Sequence, residues 1–453
     1  MKHWPASWVP VTGNQVFTFV TSGSRAWAQH YAQSGANFIR VGNLDHDTIA
    51  LDLNDVQHVQ PPAGAEGERT RLQPNDVLVS ITAEVGMVGL VRLALGEAYI
   101  NQHIALARPA PGLEPRFLAW YLASEADGKR SLLASSRGGT KSGLGLDDIR
   151  QVELPLAPLA EQQRIADKLD AVVARVDACR DRLARVTPLL KRFRQSVLAA
   201  ATSGVLTDDW RVVRRRPAGS WSLTQLQAVA HVGTGSTPLR SNPAFFADTG
   251  TPWITSGATS QSVVAAASEF VTDAAIVAHR LKVYPPGTLL VAMYGEGKTR
   301  GQVSELGIAA TINQACAAIQ VDDSQATAAY VKLALMANYL EMRELAEGGN
   351  QPNLNLGKLK AFELSLPSLE EQAEIVRRVD TLFAFADRLE ARLAKAQAAA
   401  DRLTPALLAK AFRGELVPQD PADEPAAMLL QRLAASRPVP SAKARRPRVS
   451  QTS

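Results

Sequence analysis

Leu154-Pro-Leu-Ala-Pro-Leu-Ala-Glu-Gln162 runs directly into a long apolar repeat, and 210 residues later Leu364-Ser-Leu-Pro-Ser-Leu-Glu-Glu-Gln372 does the same. Self-similarity at a fixed offset is the mark of an internal duplication. The match extends outward from these two stretches. Gly138-Gly139-Thr140 aligns with Gly348-Gly349-Asn350, and Leu198 and Gly204 align with Leu408 and Gly414. Upstream the offset drifts by a few residues, as loop insertions would cause: Ile100-Asn101-Gln102 recurs as Ile312-Asn313-Gln314, and Ser7-Trp8 as Ser220-Trp221. The second copy begins near Pro217.

The residues C-terminal to Gln162 and Gln372 decide the architecture. Ile165, Leu169, Val172, Val176, Cys179, Leu183, Val186, Leu190, Phe193 and Val197 alternate spacings of four and three, which is a heptad seam on a long helix. Ile375, Val379, Leu382, Ala386, Leu389, Leu393, Ala396, Ala400, Leu403 and Leu407 repeat it in the second copy. Two such seams in one chain predict that the helices pack on each other, and antiparallel pairing would give internal pseudo-two-fold symmetry. Pro188 and Pro405 each remove a helix hydrogen bond and predict kinks.

Before each helix lie some 150 residues of short apolar runs broken by Gly, Pro and Asn. Leu72–Ile81 and Val283–Ala292 read as a turn entering a buried strand, and Phe117–Ser124 and Tyr330–Leu345 as helices. The expected fold is α+β: two mixed α/β domains in tandem, each followed by a long helix, the helices pairing as an antiparallel coiled coil. The expected boundaries are 1–155 and 156–216 for the first domain and helix, and 217–366 and 367–417 for the second. A C-terminal segment, 418–453, carries a basic tail expected to be disordered.

Composition excludes several classes. At 453 residues and 46% apolar content the chain is an ordinary globular protein. Its apolar runs are too short to cross a bilayer and its N-terminus lacks a signal-peptide core, so no membrane association and a cytoplasmic location are expected. Cys179 and Cys316 cannot form a disulfide framework, no Cys/His cluster has zinc-site spacing, and both cysteines read as core residues. Lys and Arg outnumber Asp and Glu by 49 to 44, but six basic residues and no acidic one come after Glu424, which leaves the first 424 residues one charge negative. The basic character belongs to the tail.

Two similar domains on paired helices suggest two-site recognition. A helix of about 27 residues before the proline is ~40 Å long, near the ~34 Å of one DNA turn that separates half-sites read by symmetric dimers. Because the two domains differ in most residues, an asymmetric bipartite target is expected. The chain resembles the specificity subunit of type I restriction-modification systems. Gly235-Ser-Thr-Pro238 followed by Gly250-Thr-Pro-Trp-Ile254, and Ser22-Gly-Ser-Arg25 followed by Gly35-Ala-Asn-Phe-Ile-Arg-Val-Gly-Asn43, resemble two versions of the opening of that family's target recognition domain. The two stretches ending at Gln162 and Gln372 resemble the starts of its helices.

The resemblance implies a DNA-recognition subunit with no catalytic residues and no metal or cofactor of its own. Its implied partners are double-stranded DNA, two modification subunits that use S-adenosylmethionine to methylate adenine, and restriction subunits that translocate DNA with ATP and Mg. DNA reading needs forked or amide side chains for base edges, and hydroxyls, Lys or backbone N–H groups for phosphates. Candidates cluster on Gly-rich loops: Arg137, Thr140 and Lys141; their counterparts Asn350 and Gln351; Tyr294, Lys298 and Arg300; and Ser24, Arg25, Arg40, Asn43 and Thr237 near the domain openings.

Two rival readings have specific sequence footholds. Val232-Gly-Thr-Gly235 and Asn242-Pro-Ala-Phe245 resemble the motifs of a DNA adenine methyltransferase, but Ala244 stands where that catalytic tetrapeptide has a second proline. Gly297-Lys298-Thr299 fails as a phosphate-binding loop because Ala292 occupies the position that needs glycine. A coiled-coil adaptor that binds only proteins would show no sequence-dependent, salt-sensitive affinity for duplex DNA.

Overall fold

A computed structural model describes residues 4–23, 27–61, 64–92, 95–135, 143–217, 220–294, 299–339 and 354–437. It divides into two units that cut across the duplication. Unit 1 comprises Met1–Ala184 with Lys395–Ser453, and unit 2 comprises Arg185–Ala394. Each unit therefore holds one α/β domain, the near part of one long helix and the far part of the other.

In unit 1 an antiparallel sheet runs in the order Phe17–Ser22, Ile104–Pro109, Val77–Ser80, Val88–Leu90. Val77–Ser80 is buried throughout, as the turn at Pro74 and the apolar run after it predict. A second sheet orders Tyr31–Ala32, Gln57–Val59, Ala36–Ile39 and Ala98–Ile100, and its last pair is parallel. A two-stranded ribbon, Val9–Thr12 against Glu153–Leu156, joins the beginning of the domain to its end. The helix Pro115–Ala123 covers the core, with Phe117, Leu118, Trp120 and Tyr121 buried.

Unit 2 repeats this plan. Ala230–Thr234, Cys316–Val321, Leu289–Ala292 and Val303–Leu306 are the equivalent sheet, extended by Val263–Val264. Thr251–Ile254 and Thr311–Ile312 are the equivalent parallel pair. Ser222–Gln225 with Glu363–Leu366 forms the ribbon, and Ala328–Ala337 is the covering helix.

The helices depart from strict heptads. The first spans Leu159–Ala184, breaks at Arg185 and resumes as Val186–Thr202, as expected when Pro188 takes away the hydrogen bond to residue 184. The second runs unbroken from Leu369 to Ala411 with Pro405 inside it, so the kink expected there does not interrupt it. The buried stripe on the first is Ile165, Leu169, Val173 and Val176, with Val173 in place of the predicted Val172, and Cys179 is exposed and is not a core residue. On the second, Ala400, Thr404, Leu408 and Ala411 are buried while Leu403 is 48% exposed. A straight helix at 3.6 residues per turn drifts off a 3.5-residue repeat, which moves the contact line by one position over several turns.

Within each unit the two helical segments run antiparallel. In unit 1, Arg180 Nε lies 3.4 Å from Asp401 Oδ1, while Ile165, Leu169 and Val173 share a core with Leu408, Ala411 and Phe412. In unit 2, Arg194 Nη2 lies 2.6 Å from Asp387 Oδ1, and Val197 and Ala201 pack with Ile375 and Val379.

The Glu-Gln pair that starts each helix explains the recurrent motif. The Trp8 indole donates to Glu161 Oε2 at 2.9 Å, and the Trp221 indole donates to Glu371 Oε2 at 3.1 Å. Gln162 accepts from Glu114 N at 3.2 Å and Gln372 from Thr327 N at 2.8 Å, in each case the residue that caps the covering helix. Both amides also donate to a carbonyl before their own helix, Ala157 O and Pro367 O. The remaining partners differ. Glu161 accepts from the neutral Gln419 amide, whereas Glu371 pairs with the buried Arg211 guanidinium and accepts from Thr207 Oγ1 at 2.7 Å. Burial raises the Glu161 carboxyl above its ordinary value, and the Trp8 and Gln419 donors only partly counter it.

Candidate nucleic-acid interface

The parallel strand pair in each domain ends in two loops, and the crevice outside the carboxyl ends of parallel strands is where open α/β sheets bind ligands. In unit 1, Ala36–Ile39 leads into the short turn Val41–Asn43, and Ala98–Ile100 leads into Asn101-Gln102-His103. Arg40, Asn43, Asp52, Asp55, Asn101 and His103 help to line a cleft of about 460 Å³ there, and a second of about 430 Å³, lined by Gln102 and Thr82, shares His103 with it. In unit 2 the equivalent loops are Ser256–Ser260 after Thr251–Ile254, and Asn313-Gln314-Ala315 after Thr311–Ile312.

Local chemistry builds the same frame twice. Asn101 Oδ1 accepts from His103 N and Asn313 Oδ1 from Ala315 N, both at 3.1 Å. This Asx turn makes the chain reverse and presents the glutamine between. Asn101 N donates to Ile39 O at 3.2 Å and Asn313 N to Ile254 O at 2.9 Å, which ties the two loops together. Gly23 and Gly235 pack beneath: a Cβ at Gly23 would lie 2.2 Å from Ile100 O, and one at Gly235 would lie 1.6 Å from Ile312 O. Only glycine permits that approach. Gly35 and Gly250 hold φ of +139° and +148° at the turns into the parallel strands.

A further strand end meets each crevice. Ile81 N donates to His103 O at 2.9 Å and Met293 N to Ala315 O at 2.8 Å, which sets Thr82 and Tyr294 at equivalent places. Leu144 N and Leu354 N bond to Ile81 O and Met293 O. Beneath the unit 2 crevice the Tyr284 hydroxyl donates to Thr234 O at 3.2 Å, and burial raises its pKa, so it remains a donor.

The frame is shared, but its side chains are not. Arg40, Asn43, Thr82 and His103 in unit 1 correspond to Thr255, Ala258, Tyr294 and Ala315 in unit 2, while Gln102 and Gln314 are the same residue. The two glutamines are held differently. Gln102 Nε2 donates to His103 Nε2 at 3.1 Å, and Thr82 Oγ1 lies 2.5 Å from His103 Nδ1. Gln314 Oε1 instead accepts from Thr237 Oγ1.

Several of the expected contact residues therefore converge. Arg40 lines the unit 1 cleft, Thr237 touches Gln314 in unit 2, and Tyr294, 39% exposed, stands beside Ala315. Asn43 is buried, accepting from Arg40 N at 2.9 Å and donating to Asp52 O at 2.9 Å and Asp55 O at 3.2 Å, so its amide holds the loop. Arg300 lies beyond the same strand end as Tyr294, half-buried, with a buried Nε that has no hydrogen-bond partner among the described residues. Ser24, Arg25, Arg137, Thr140, Lys141, Lys298, Asn350 and Gln351 lie outside the described residues. Gln102, His103 and Gln314 are the residues that sequence reasoning missed. Their signal was the recurrence of Ile-Asn-Gln itself, which marks the repeat but also marks the loop that the repeat preserves.

The methyltransferase-like motifs have structural roles. Asn242 caps the short turn Pro243–Phe245, its Oδ1 accepting from Ala244 N at 3.1 Å, and Phe245 packs edge-on against His279. Val232-Gly-Thr234 is the end of a strand and Gly235 follows it. Among the described residues no group of three or more His, Cys, Asp or Glu could hold a metal ion, and no helix is long and apolar enough to cross a membrane.

Comparison with known proteins gives a consistent picture. The family model of the type I restriction modification DNA specificity domain matches twice, over residues 7–187 and 219–397. The chain is 27% identical to the type I restriction enzyme StySPI specificity subunit of Salmonella potsdam over 479 residues, covering 97% of each. It is 31% identical to the EcoBI specificity subunit of Escherichia coli over 332 residues, covering 67% of this chain and 68% of that one. In fold it is similar to the HsdS subunit from Thermoanaerobacter tengcongensis, with a TM-score of 0.61 at 20% identity over 91% of this chain and 98% of that one. A chain solved in an account of type I R-M complex assembly gives a TM-score of 0.71 at 21% identity, over 91% and 99%.

Proposed function

The chain belongs to the type I restriction-modification DNA specificity family, and we propose that its two α/β domains read the two halves of one asymmetric, bipartite DNA site. One observation carries this reading: the same pair of loops is built twice on one backbone frame and carries different side chains. Identical crevices would favour a palindrome. Arg40 against Thr255 and His103 against Ala315 favour two unlike half-sites.

In this reading the subunit supplies recognition and no chemistry. Adenine methylation comes from two modification subunits that carry S-adenosylmethionine, and cleavage from restriction subunits that carry ATP and Mg, all acting in the cytoplasm. An adenine methyltransferase in its own right has less support, because Asn242 Oδ1 is committed to capping its own turn rather than to a flipped base. A protein-only adaptor would have no reason to preserve the crevice frame.

The test is a genome-wide map of methylated adenine in the host, with the gene intact and deleted. The expected result is a bipartite motif with a fixed gap and unlike halves that disappears in the deletion. Unchanged methylation, or a palindromic motif, would overturn the reading.

A further inference from the structure

Gln102 and Gln314 occupy the same place in the two crevices, but opposite ends of their amides are held. In unit 1 the Gln102 N–H donates to His103 Nε2, which leaves Oε1 and the second N–H without a hydrogen-bond partner among the described residues, on a side chain that lines the cleft. In unit 2 the Thr237 hydroxyl donates to Gln314 Oε1, so that residue offers its NH₂ group. An acceptor beside a donor is what the major-groove edge of adenine takes, through N6–H and N7. A group that presents donors matches an edge with acceptors only, which is guanine N7 and O6.

Resting on the DNA-reading function proposed above, we propose that Gln102 and Gln314 are specificity-determining residues that read different bases, an adenine in the half-site of unit 1 and a guanine in that of unit 2. Their neighbours His103 and Thr237 set the choice. The rest of the crevice suits base edges better than phosphates. Among the described residues, Arg40 is the one Lys or Arg lining the cleft beside Asn101, where Asp52 and Asp55 line it too, and the adjoining cleft that Gln102 lines has no Lys or Arg. The Asx turns at Asn101 and Asn313 fix the loop backbone, so the glutamines are aimed before DNA arrives. Neither glutamine packs into a core; Gln314 is exposed and Gln102 half-buried.

The experiment selects bound duplexes from a randomised pool, using the full chain assembled with its modification subunits, as wild type and as Gln102→Ala, Gln314→Ala and Thr237→Ala. Thermal melts of each variant confirm the fold. Gln102→Ala is expected to lose about 5- to 150-fold discrimination at one adenine in one half-site, and Gln314→Ala the same at one guanine in the other half. Thr237→Ala frees the Gln314 carbonyl and is expected to admit adenine at that guanine position. Relaxation at other bases, or selections indistinguishable from wild type, would overturn the inference while leaving the DNA-reading function intact. So would a uniform loss for all sequences with the salt slope reduced by about one, the mark of a phosphate contact. A wild-type complex with no sequence preference would instead overturn the function itself.

Discussion

Replacing the glutamate that starts each long helix by glutamine should affect the two copies very differently, although the positions are equivalent. In unit 2, Glu371 is 2% exposed and faces Arg211, itself 8% exposed. Glu371→Gln removes the negative charge facing that buried guanidinium and leaves it the neutral glutamine carbonyl, Thr207 Oγ1, Gly204 O and the more exposed Asp208 carboxylate. Breaking a buried ion pair by removing one partner costs about 3–5 kcal/mol, and because Asp208 remains the lower end applies, about 3 kcal/mol. In unit 1 the partners of Glu161 are the neutral Trp8 indole and Gln419 amide, and glutamine keeps one acceptor for one of them. Loss of the other bond costs about 1 kcal/mol, offset in part because a buried charge disappears. The assay is hydrogen exchange with mass spectrometry on the full chain, tracking amides near Ile375–Val379 in one variant and Ile165–Leu169 in the other. Local opening should rise about 150-fold in Glu371→Gln and no more than about 5-fold in Glu161→Gln. Equal effects, or the larger effect in unit 1, would refute the claim that the Arg211 pair distinguishes the copies.

The same asymmetry has a pH signature. The folded Glu161 carboxyl titrates above its unfolded value, so the folded state binds more protons in that window, and stability falls as pH rises through it. Urea unfolding of wild type should show this slope, and Glu161→Gln should flatten it. Of the two cysteines, only Cys179 is exposed, while burial pushes the Cys316 thiol up to about 12, so a thiol reagent should titrate one group in native protein and two in denaturant. Phe412 is 1% exposed and meets Phe117 and Tyr121 edge-on at 5.5 and 5.1 Å, so Phe412→Ala should cost about 3–5 kcal/mol, read as a lower urea midpoint.

The duplication and the long helices are legible in the sequence because they are periodic, and periodicity survives without knowledge of contacts. The ends of the helices are less so. Cys179 and Leu403 sit on the predicted seams and yet face solvent, because a seam drawn at 3.5 residues ignores the drift of a 3.6-residue helix. The division into units is invisible to a linear reading for a different reason. Phe412 and Gln419 lie at the end of the second copy but pack on the first, at Phe117 and Glu161, and no local pattern announces a partner some 260 to 300 residues away. Likewise Asn43 has the residue type of a base reader, and only its three loop bonds reveal that its amide is already engaged.

The crevice shows which kinds of residue a duplicated reader must keep and which it can change. Gly23 and Gly235 are held by backbone approaches closer than any Cβ allows, Gly35 and Gly250 by positive φ, and Asn101 and Asn313 by the turn their side chains close. Altering any of these moves the frame. Arg40, Thr82 and His103 face the cleft from that frame without supporting its backbone ladder, and their counterparts Thr255, Tyr294 and Ala315 differ in size and charge. The two copies therefore differ where a side chain faces the crevice and agree where the backbone turns. Gly235→Ala tests that division. With Cβ 1.6 Å from Ile312 O, the loop must shift by more than an ångström, at a cost of about 1–3 kcal/mol or more. The damage should appear as lost discrimination across the whole half-site read by unit 2, with the other half unchanged, in the same duplex selection. If Gly235→Ala relaxed a single base pair as a side-chain variant does, the glycine would be a reader rather than part of the frame, and the division would fail.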